Sequence, residues 1–235
     1  MEFSVVVPIY NEENSLITLN EGILKVMDNL NVDYEVIYID DGSIDSSLDI
    51  LKEFKKRFPQ IRIVSFKKNQ GQSSALFAGF KEAKGKWIIT LDADLQNPPQ
   101  EILKLIEYKE AYDFITGVRI DRKDTLLRRL SSGVAKFFRW AVLRDKTKDV
   151  GCSLRVFKRE VIEFIPLFKN FHRFFPFLAK KTGFKIKEVA VAHQSRRFGK
   201  SKYTTFKRLR EGFFDLIGLF WLKRRIINYE IKYRS

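Results

Sequence analysis

The chain has 235 residues, a net charge of +15 and a single cysteine, Cys152. This length suits one large α/β domain, and the lone cysteine excludes an intramolecular disulfide framework and fits a reducing compartment. The start, MEFSVVVPIYNEE, lacks the basic and long apolar regions of a signal peptide, and the apolar stretch FFDLIGLFWL at 213–222 is too short for a membrane span of roughly 20 residues, so no transmembrane helix is expected.

In chain order, FSVVVPI (3–9) is a β-branched run ended by Pro8, followed by a helical pattern carried by Leu16, Leu19, Ile23, Leu24, Met27 and Leu30. EVIYI (35–39) is a second strand stopped by DDGS; a helix over 45–58 leads to the strand IRIVSF (61–66). GQSSALFAGFKEAKG (71–85) is a small-residue helix ending at a glycine, KWIITL (86–91) a fourth strand and DFITG (113–117) a fifth. Strands separated by helices of this length predict βαβ units, right-handed crossovers and a mostly parallel sheet. Ligands of such sheets bind beyond the carboxyl ends of the strands, so YNEE, DDGS and DADLQ should gather along one edge.

The second half is less regular. Residues 124–143 read as a basic helix, SLRVF (153–157) and KIKEVAVAH (185–193) as strands, QSRRFGKSKY (194–203) as a basic loop and 204–227 as an amphipathic helix with cations at both ends. The pattern predicts one domain over 1–203 and a C-terminal amphipathic segment over 204–235. Charge divides with it: residues 1–118 carry 13 Lys and Arg against 19 Asp and Glu, a net of −6, whereas 119–235 carry 31 against 10, a net of +21. The second half is therefore expected to face something anionic.

Several constellations carry chemistry. Asp92 and Asp94 stand one residue apart at the end of an apolar run, where like charges about 5–6 Å apart repel by roughly 3 kcal/mol. A hard dication such as Mn²⁺ or Mg²⁺ reverses that sign, with Gln96 adding a carbonyl oxygen or hydrogen bond; a solvated turn is the alternative. Tyr10 is placed to stack on a base, and Glu12 or Asp41 to accept from a ring N–H or ribose hydroxyl; turn and cap chemistry is the alternative, and the preferred one for Glu13 and Asp40. Arg119, Arg122, Arg128 and Arg129 suit phosphate oxygens or a solvated helix face, and Arg196, Arg197, Lys200 and Lys202 suit a loop closing over phosphates or a plain exposed one. His172 and His193 are expected to be structural, and no zinc cluster, nucleophile elbow or P-loop is present.

Together these pieces resemble the family 2 glycosyltransferases of the GT-A fold, and among them the dolichol- or polyprenyl-phosphate sugar synthases. The residues that carry the resemblance are VVVPIYNEE (5–13), IDDGS (39–43), GQSSALFAGF (71–80), LDADLQNPP (91–99), GVR (117–119), RRLSS (128–132), DVGCSLRVFKR (149–159) and HQSRRFGKSKY (193–203), in family order. The resemblance implies a single Rossmann-like GT-A domain. By position it assigns Pro8, Tyr10, Glu12 and Asp41 to the nucleoside, and Asp92, Asp94 and Gln96 to the metal and diphosphate. It assigns Arg119, Arg129 and Ser132 to the acceptor phosphate, Asp149 to the transfer site, and Arg196 and Lys202 to a basic loop over the donor. It further implies transfer with inversion from a UDP- or GDP-sugar to a dolichyl or undecaprenyl phosphate. Many bacterial relatives carry transmembrane helices after this loop; this chain resembles the short synthases that work at the cytoplasmic face of a membrane, held there peripherally or through a small membrane partner protein.

The acceptor decides the chemistry. A phosphate monoester has a second pKa of about 6 and is already anionic at neutral pH, so arginines that aim it matter more than a base. Asp149 is accordingly expected to orient an arginine or the acceptor, with general base as the second choice. Aromatic residues between Lys207, Arg208, Arg210 and Lys223, Arg224, Arg225 suit an interfacial helix on an anionic membrane surface. FHRFFPFLAKK (171–181) suits a second membrane contact, the lining of a lipid groove, or packing against the domain. The rival readings are transfer to a saccharide hydroxyl, which needs a base, a nucleotide-sugar binder without catalysis, and a basic nucleic-acid-binding module; no nucleic-acid partner is expected.

Overall fold

The computed structural model describes residues 1–120, 126–195 and 205–225; the side chains of 126–132, 134, 135, 205–211 and 213 lie outside the description. The first half follows the expected alternation: β1 (Phe3–Ile9), α1 (Leu16–Asn29), β2 (Tyr34–Asp40), α2 (Ser47–Arg57), β3 (Ile61–Ser65), α3 (Gln72–Glu82), β4 (Trp87–Thr90), α4 (Glu101–Ile106) and β5 (Phe114–Arg119). There follow α5 (Leu126–Leu143), β6 (Arg155–Lys158), α6 (Val161–Phe164), a 3₁₀ turn (Phe171–Arg173), α7 (Phe175–Lys181), β7 (Ile186–Val191) and α8 (Thr205–Leu222).

The strands form one seven-stranded sheet in the order β3-β2-β1-β4-β6-β5-β7. β1 pairs parallel with β2 and β4, β2 with β3, and β5 with β7. β6 alone runs against its neighbours, with Thr90 opposite Arg155 and Thr116 opposite Arg155. Its start therefore lies at the edge where β4 and β5 end. The sheet is mostly parallel, as expected; a short apolar run such as SLRVF carries no sign of its own direction.

Helices cover both faces, which is why both sides of the central strands are apolar. Val5, Val7 and Ile9 join α1 on one side, while Val6, Ile37 and Ile88 face α3 and α7 on the other. The second core is built on phenylalanine: Phe157 stacks on Phe114 at 5.3 Å and meets Phe175 edge-on at 4.9 Å, and Phe171 packs against Phe175 at 5.5 Å. This settles the segment 171–181. Phe171, Phe174, Phe175 and Phe177 are buried, so it packs against the sheet rather than forming a second membrane contact. The sheet face between α3 and α8 needs an apolar cover, and these rings supply it.

α8 shows two faces. Leu219 is buried, whereas Phe214 is 65% and Trp221 57% exposed; on α5, Phe137 is 61% and Trp140 43% exposed. Among the described residues no helix is long and apolar enough to cross a membrane.

Candidate active site

Because β1, β2 and β4 run parallel in register, their ends deliver YNEE, DDGS and DADLQ to one edge, as expected. Side chains tie the loops together. The Asn11 N–H donates to Ser43 Oγ (3.0 Å), Asn11 Oδ1 accepts from the Ile44 N–H (2.8 Å) and the Glu12 N–H donates to Ser47 Oγ (2.9 Å). Asp40 and Glu13 do turn work: Asp40 accepts from the Ser43 N–H and the Ser65 hydroxyl, and Glu13 from the Ser46 N–H. Pro8 lies in β1 opposite Ile39. Tyr10 lines a cavity of about 300 Å³ with Ile44, Phe66, Lys67 and Asn69. Gly42 has φ +68°, and a Cβ there would sit 2.5 Å from the Lys68 backbone, so only glycine closes this wall.

Asp41 is buried and engaged. Its carboxylate accepts from the Gln70 N–H (2.6 Å), the Gly71 N–H (2.9 Å) and Asn69 Nδ2 (2.9 Å). Burial raises its pKa, and the two backbone N–H groups oppose the rise. It therefore shapes the loop leading into α3, whatever else it contacts.

Beyond β4 the chain turns sharply. Leu95 takes φ +59°, and Asp94, itself buried, accepts the Gln96 N–H at 3.1 Å. The Gln96 carbonyl accepts the Gln194 N–H at 2.9 Å, which ties this loop to the start of the basic segment. Ser153 holds the turn from beneath: its carbonyl accepts the Thr90 hydroxyl (2.7 Å), and its Oγ accepts the Asp92 N–H (3.2 Å) and Asn97 Nδ2 (3.1 Å). Gln72 Nε2 donates to Asp92 Oδ1 at 2.8 Å. The Asp92 pKa is pushed up to about 6, first by burial and then by the charge of Asp94, against the Ser153 hydrogen bond and the charges of Arg155 and Arg119.

Two hard carboxylates thus stand close enough for the charge of Asp94 to oppose the ionisation of Asp92, an electrostatic cost that a dication would relieve. The donor set fits Mn²⁺ or Mg²⁺. Among the described residues no group of three or more His, Cys, Asp or Glu side chains stands together.

Next to this loop, at the end of β5 and ahead of the start of β6, Arg119 forks onto Asp149: Nε donates to Oδ2 at 2.7 Å and Nη2 to Oδ1 at 2.8 Å, while the Arg119 N–H reaches Oδ2 at 3.2 Å and the Gly151 N–H reaches Oδ1 at 3.0 Å. Arg119 is 14% and Asp149 6% exposed. Burial works against the Arg119 charge, but the hydrogen bonds and charge of Asp149 outweigh it and its pKa is raised. Beneath the pair, Arg155 is buried with Nη2 on the His172 carbonyl (2.9 Å) and the Val150 carbonyl (3.3 Å), and burial lowers its pKa. Cys152 is buried and its thiol is pushed up to about 11, mainly by burial.

The structure thus brings Asp92, Asp94, Gln96, Arg119 and Asp149 to one edge, with Pro8, Tyr10, Glu12 and Asp41 along its other end. Arg129 and Ser132 lie on α5 with side chains outside the described residues; Arg122, Arg196 and Lys202 lie wholly outside them. His172 is structural as expected, meeting Ser73 Oγ through Nδ1 at 3.0 Å. Gln72, Ser153 and Arg155 were not expected at the site. The only signal for them was their place within GQSSALFAGF and DVGCSLRVFKR.

Comparison with known proteins agrees with this geometry. The family described as Glycosyl transferase family 2 matches residues 4–165. The undecaprenyl-phosphate 4-deoxy-4-formamido-L-arabinose transferase of Photorhabdus laumondii is 40% identical over 217 residues, covering 91% of this chain and 66% of that protein. Its counterpart in Pseudomonas fluorescens is 39% identical over 220 residues, covering 91% and 63%. The chain thus spans slightly less than two thirds of the curated relatives it matches. Among solved structures, glucosyl-3-phosphoglycerate synthase from Mycobacterium tuberculosis, in complex with Mn²⁺, UDP and phosphoglyceric acid, superposes with a TM-score of 0.71 at 18% identity, covering 97% of this chain and 80% of that one. S. aureus TarS 1–349 with UDP-GlcNAc gives 0.64 at 17% identity, covering 98% and 68%; these two establish the shared fold. The chain belongs to glycosyl transferase family 2.

Proposed function

We propose that the chain moves a sugar, with inversion, from a nucleotide-sugar to a polyprenyl phosphate at a membrane surface. The observation that carries this reading is the buried Arg119–Asp149 fork, close enough to the Asp92–Asp94 turn for the Arg119 charge to act on Asp92. One pair suits a donor diphosphate, the other an acceptor anion, and they share an edge. The undecaprenyl-phosphate transferases at about 40% identity support the acceptor, and the UDP complexes of the shared fold support the donor.

In this reading Asp92 and Asp94, with Gln96 beside them, hold Mn²⁺ or Mg²⁺, which when bound neutralises charge developing on the diphosphate leaving group. Tyr10, Pro8, Glu12 and the loop shaped by Asp41 take the nucleoside. Arg119 aims the acceptor phosphate, and Asp149 keeps that guanidinium charged and fixed in direction. Both Asp149 oxygens already accept Arg119 N–H groups, which supports the orienting role over general base. A phosphate monoester needs no strong base, so the two inferences agree. Arg129, Ser132, Arg196 and Lys202 are assigned to phosphate binding by their motif positions alone.

We assign residues 1–203 to transfer and 204–235 to the membrane surface. The exposed aromatics of α5 and α8 are flanked by cations: Arg144 lies over Trp140 at 5.2 Å, Arg225 over Trp221 at 4.5 Å and Lys223 over Phe220 at 4.6 Å. This combination suits an anionic lipid surface better than a small membrane partner protein or nucleic acid. The cytoplasmic face, with its anionic leaflet and reducing conditions for Cys152, is the site we assign.

The test is a screen of radiolabelled UDP- and GDP-sugars against undecaprenyl phosphate, with Mn²⁺, with Mg²⁺ and with chelator. Label should enter the lipid fraction only with metal, and Asp92→Asn should abolish it. Transfer to a saccharide hydroxyl with undecaprenyl phosphate inert would overturn the acceptor assignment.

A further inference from the structure

Gln72 opens α3 and is absent from the roles assigned so far. Its side-chain amide donates to Asp92 Oδ1 at 2.8 Å. Its backbone is fixed from both sides. Before it, the Asp41 carboxylate pins the N–H groups of Gln70 and Gly71. After it, Ser73 Oγ accepts the Asn170 N–H at 2.8 Å and meets His172 Nδ1 at 3.0 Å. The His172 carbonyl is itself held by buried Arg155 at 2.9 Å. The reach of the amide to Asp92 is thus set by three separate parts of the fold.

We propose that Gln72 is a positioning residue that fixes the Asp92 carboxylate for the cation and the donor diphosphate. This rests on the reading of Asp92 as a cation ligand. Ser153 grips the backbone N–H of Asp92 and Gln72 grips the carboxylate, so both ends of the side chain are defined. The chemistry of the residue fits the task. A neutral amide orients one carboxylate oxygen while leaving the full negative charge and the remaining lone pairs for a dication. Lys or Arg at this place would satisfy Asp92 and repel the ion.

The test measures Mn²⁺ binding to the full chain at saturating UDP, by calorimetry and by the electron paramagnetic resonance spectrum of the bound ion, with metal-free UDP binding in parallel. Gln72→Met, similar in length but without the donor, is expected to weaken Mn²⁺ by about 10-fold and leave metal-free UDP affinity unchanged. Gln72→Asn keeps the amide, falls one methylene short of Asp92 and should show the same loss; it also serves if the Met variant does not fold. Unchanged Mn²⁺ affinity in a folded variant overturns the role of Gln72 and leaves the cation reading standing. Equal losses of Mn²⁺ and metal-free UDP affinity overturn it as well, because the damage is then to the pocket at large. Failure of the wild type to bind Mn²⁺, with Asp92→Asn no different, overturns both.

Discussion

Asp92 and Asp149 are both carboxylates at one sheet edge, yet their surroundings set them opposite tasks. Burial, and then the charge of Asp94, push the Asp92 pKa up to about 6, from the 3.8 of an ordinary aspartate. Relative to the unfolded chain, the metal-free fold therefore favours the neutral acid. Stability from this group is complete below about pH 4 and is lost as pH rises through about 6, a difference on the order of 1–3 kcal/mol. Asp92→Asn should then raise metal-free stability at pH 7 by that amount, with the gain vanishing at pH 4; urea denaturation at the two pH values measures it. Asp149, doubly bonded to Arg119, should behave otherwise. Asp149→Asn is expected to lower kcat by about 10²-fold or more through misdirection of Arg119, with donor affinity unchanged and the acid limb of the pH–rate profile retained. Disappearance of that limb would identify Asp149 as the base. The sequence announces Asp92 and Asp94 through their place after a strand, and Arg119 and Asp149 through the family resemblance, but it is silent on Gln72, because a glutamine at a helix start has many ordinary uses.

At the scale of elements, the strands of the first half were legible because each is a β-branched run stopped by polar residues, as in EVIYIDDGS. α4 was less so: six residues after two prolines give too little helical period to read. The aromatic segment 171–181 was ambiguous for a definite reason. Phenylalanine between cations describes both a membrane contact and a sheet cover, and only the vacancy left by neighbouring helices decides between them. Asp215 had a similar fate. Within FFDLIGLFWL it reads as a charge out of place, but its carboxylate accepts Asn170 Nδ2 at 3.1 Å, on the side of α8 that faces the domain.

Across the whole molecule, acidic and basic halves separate, and the exposed aromatics of α5 and α8 lie with the basic half. Each Lys or Arg near an anionic bilayer contributes roughly 1 kcal/mol, an attraction that salt screens. Phe214→Ser combined with Trp221→Ser should reduce flotation with anionic vesicles by about 10-fold or more at fixed salt. Rising salt should release the wild type, and neutral vesicles should bind it weakly. Flotation unchanged by the double substitution would remove α8 from the contact. The charge division was plain in the sequence; that α5 packs against α8, where Lys223 Nζ donates to the Val142 carbonyl, was not, since nothing local in either helix names its neighbour.

One reversed strand has a lasting effect on how the centre is held together. With β6 threaded backwards, Asp149 and Ser153 stand on the segment that starts a strand, while Arg119 and the Asp92–Asp94 turn stand where others end. Ser153 is a hinge pin between them. On the proposed function, Ser153 is then the link through which the Arg119–Asp149 pair and the Asp92 turn keep a common register, so a change there disturbs both at once.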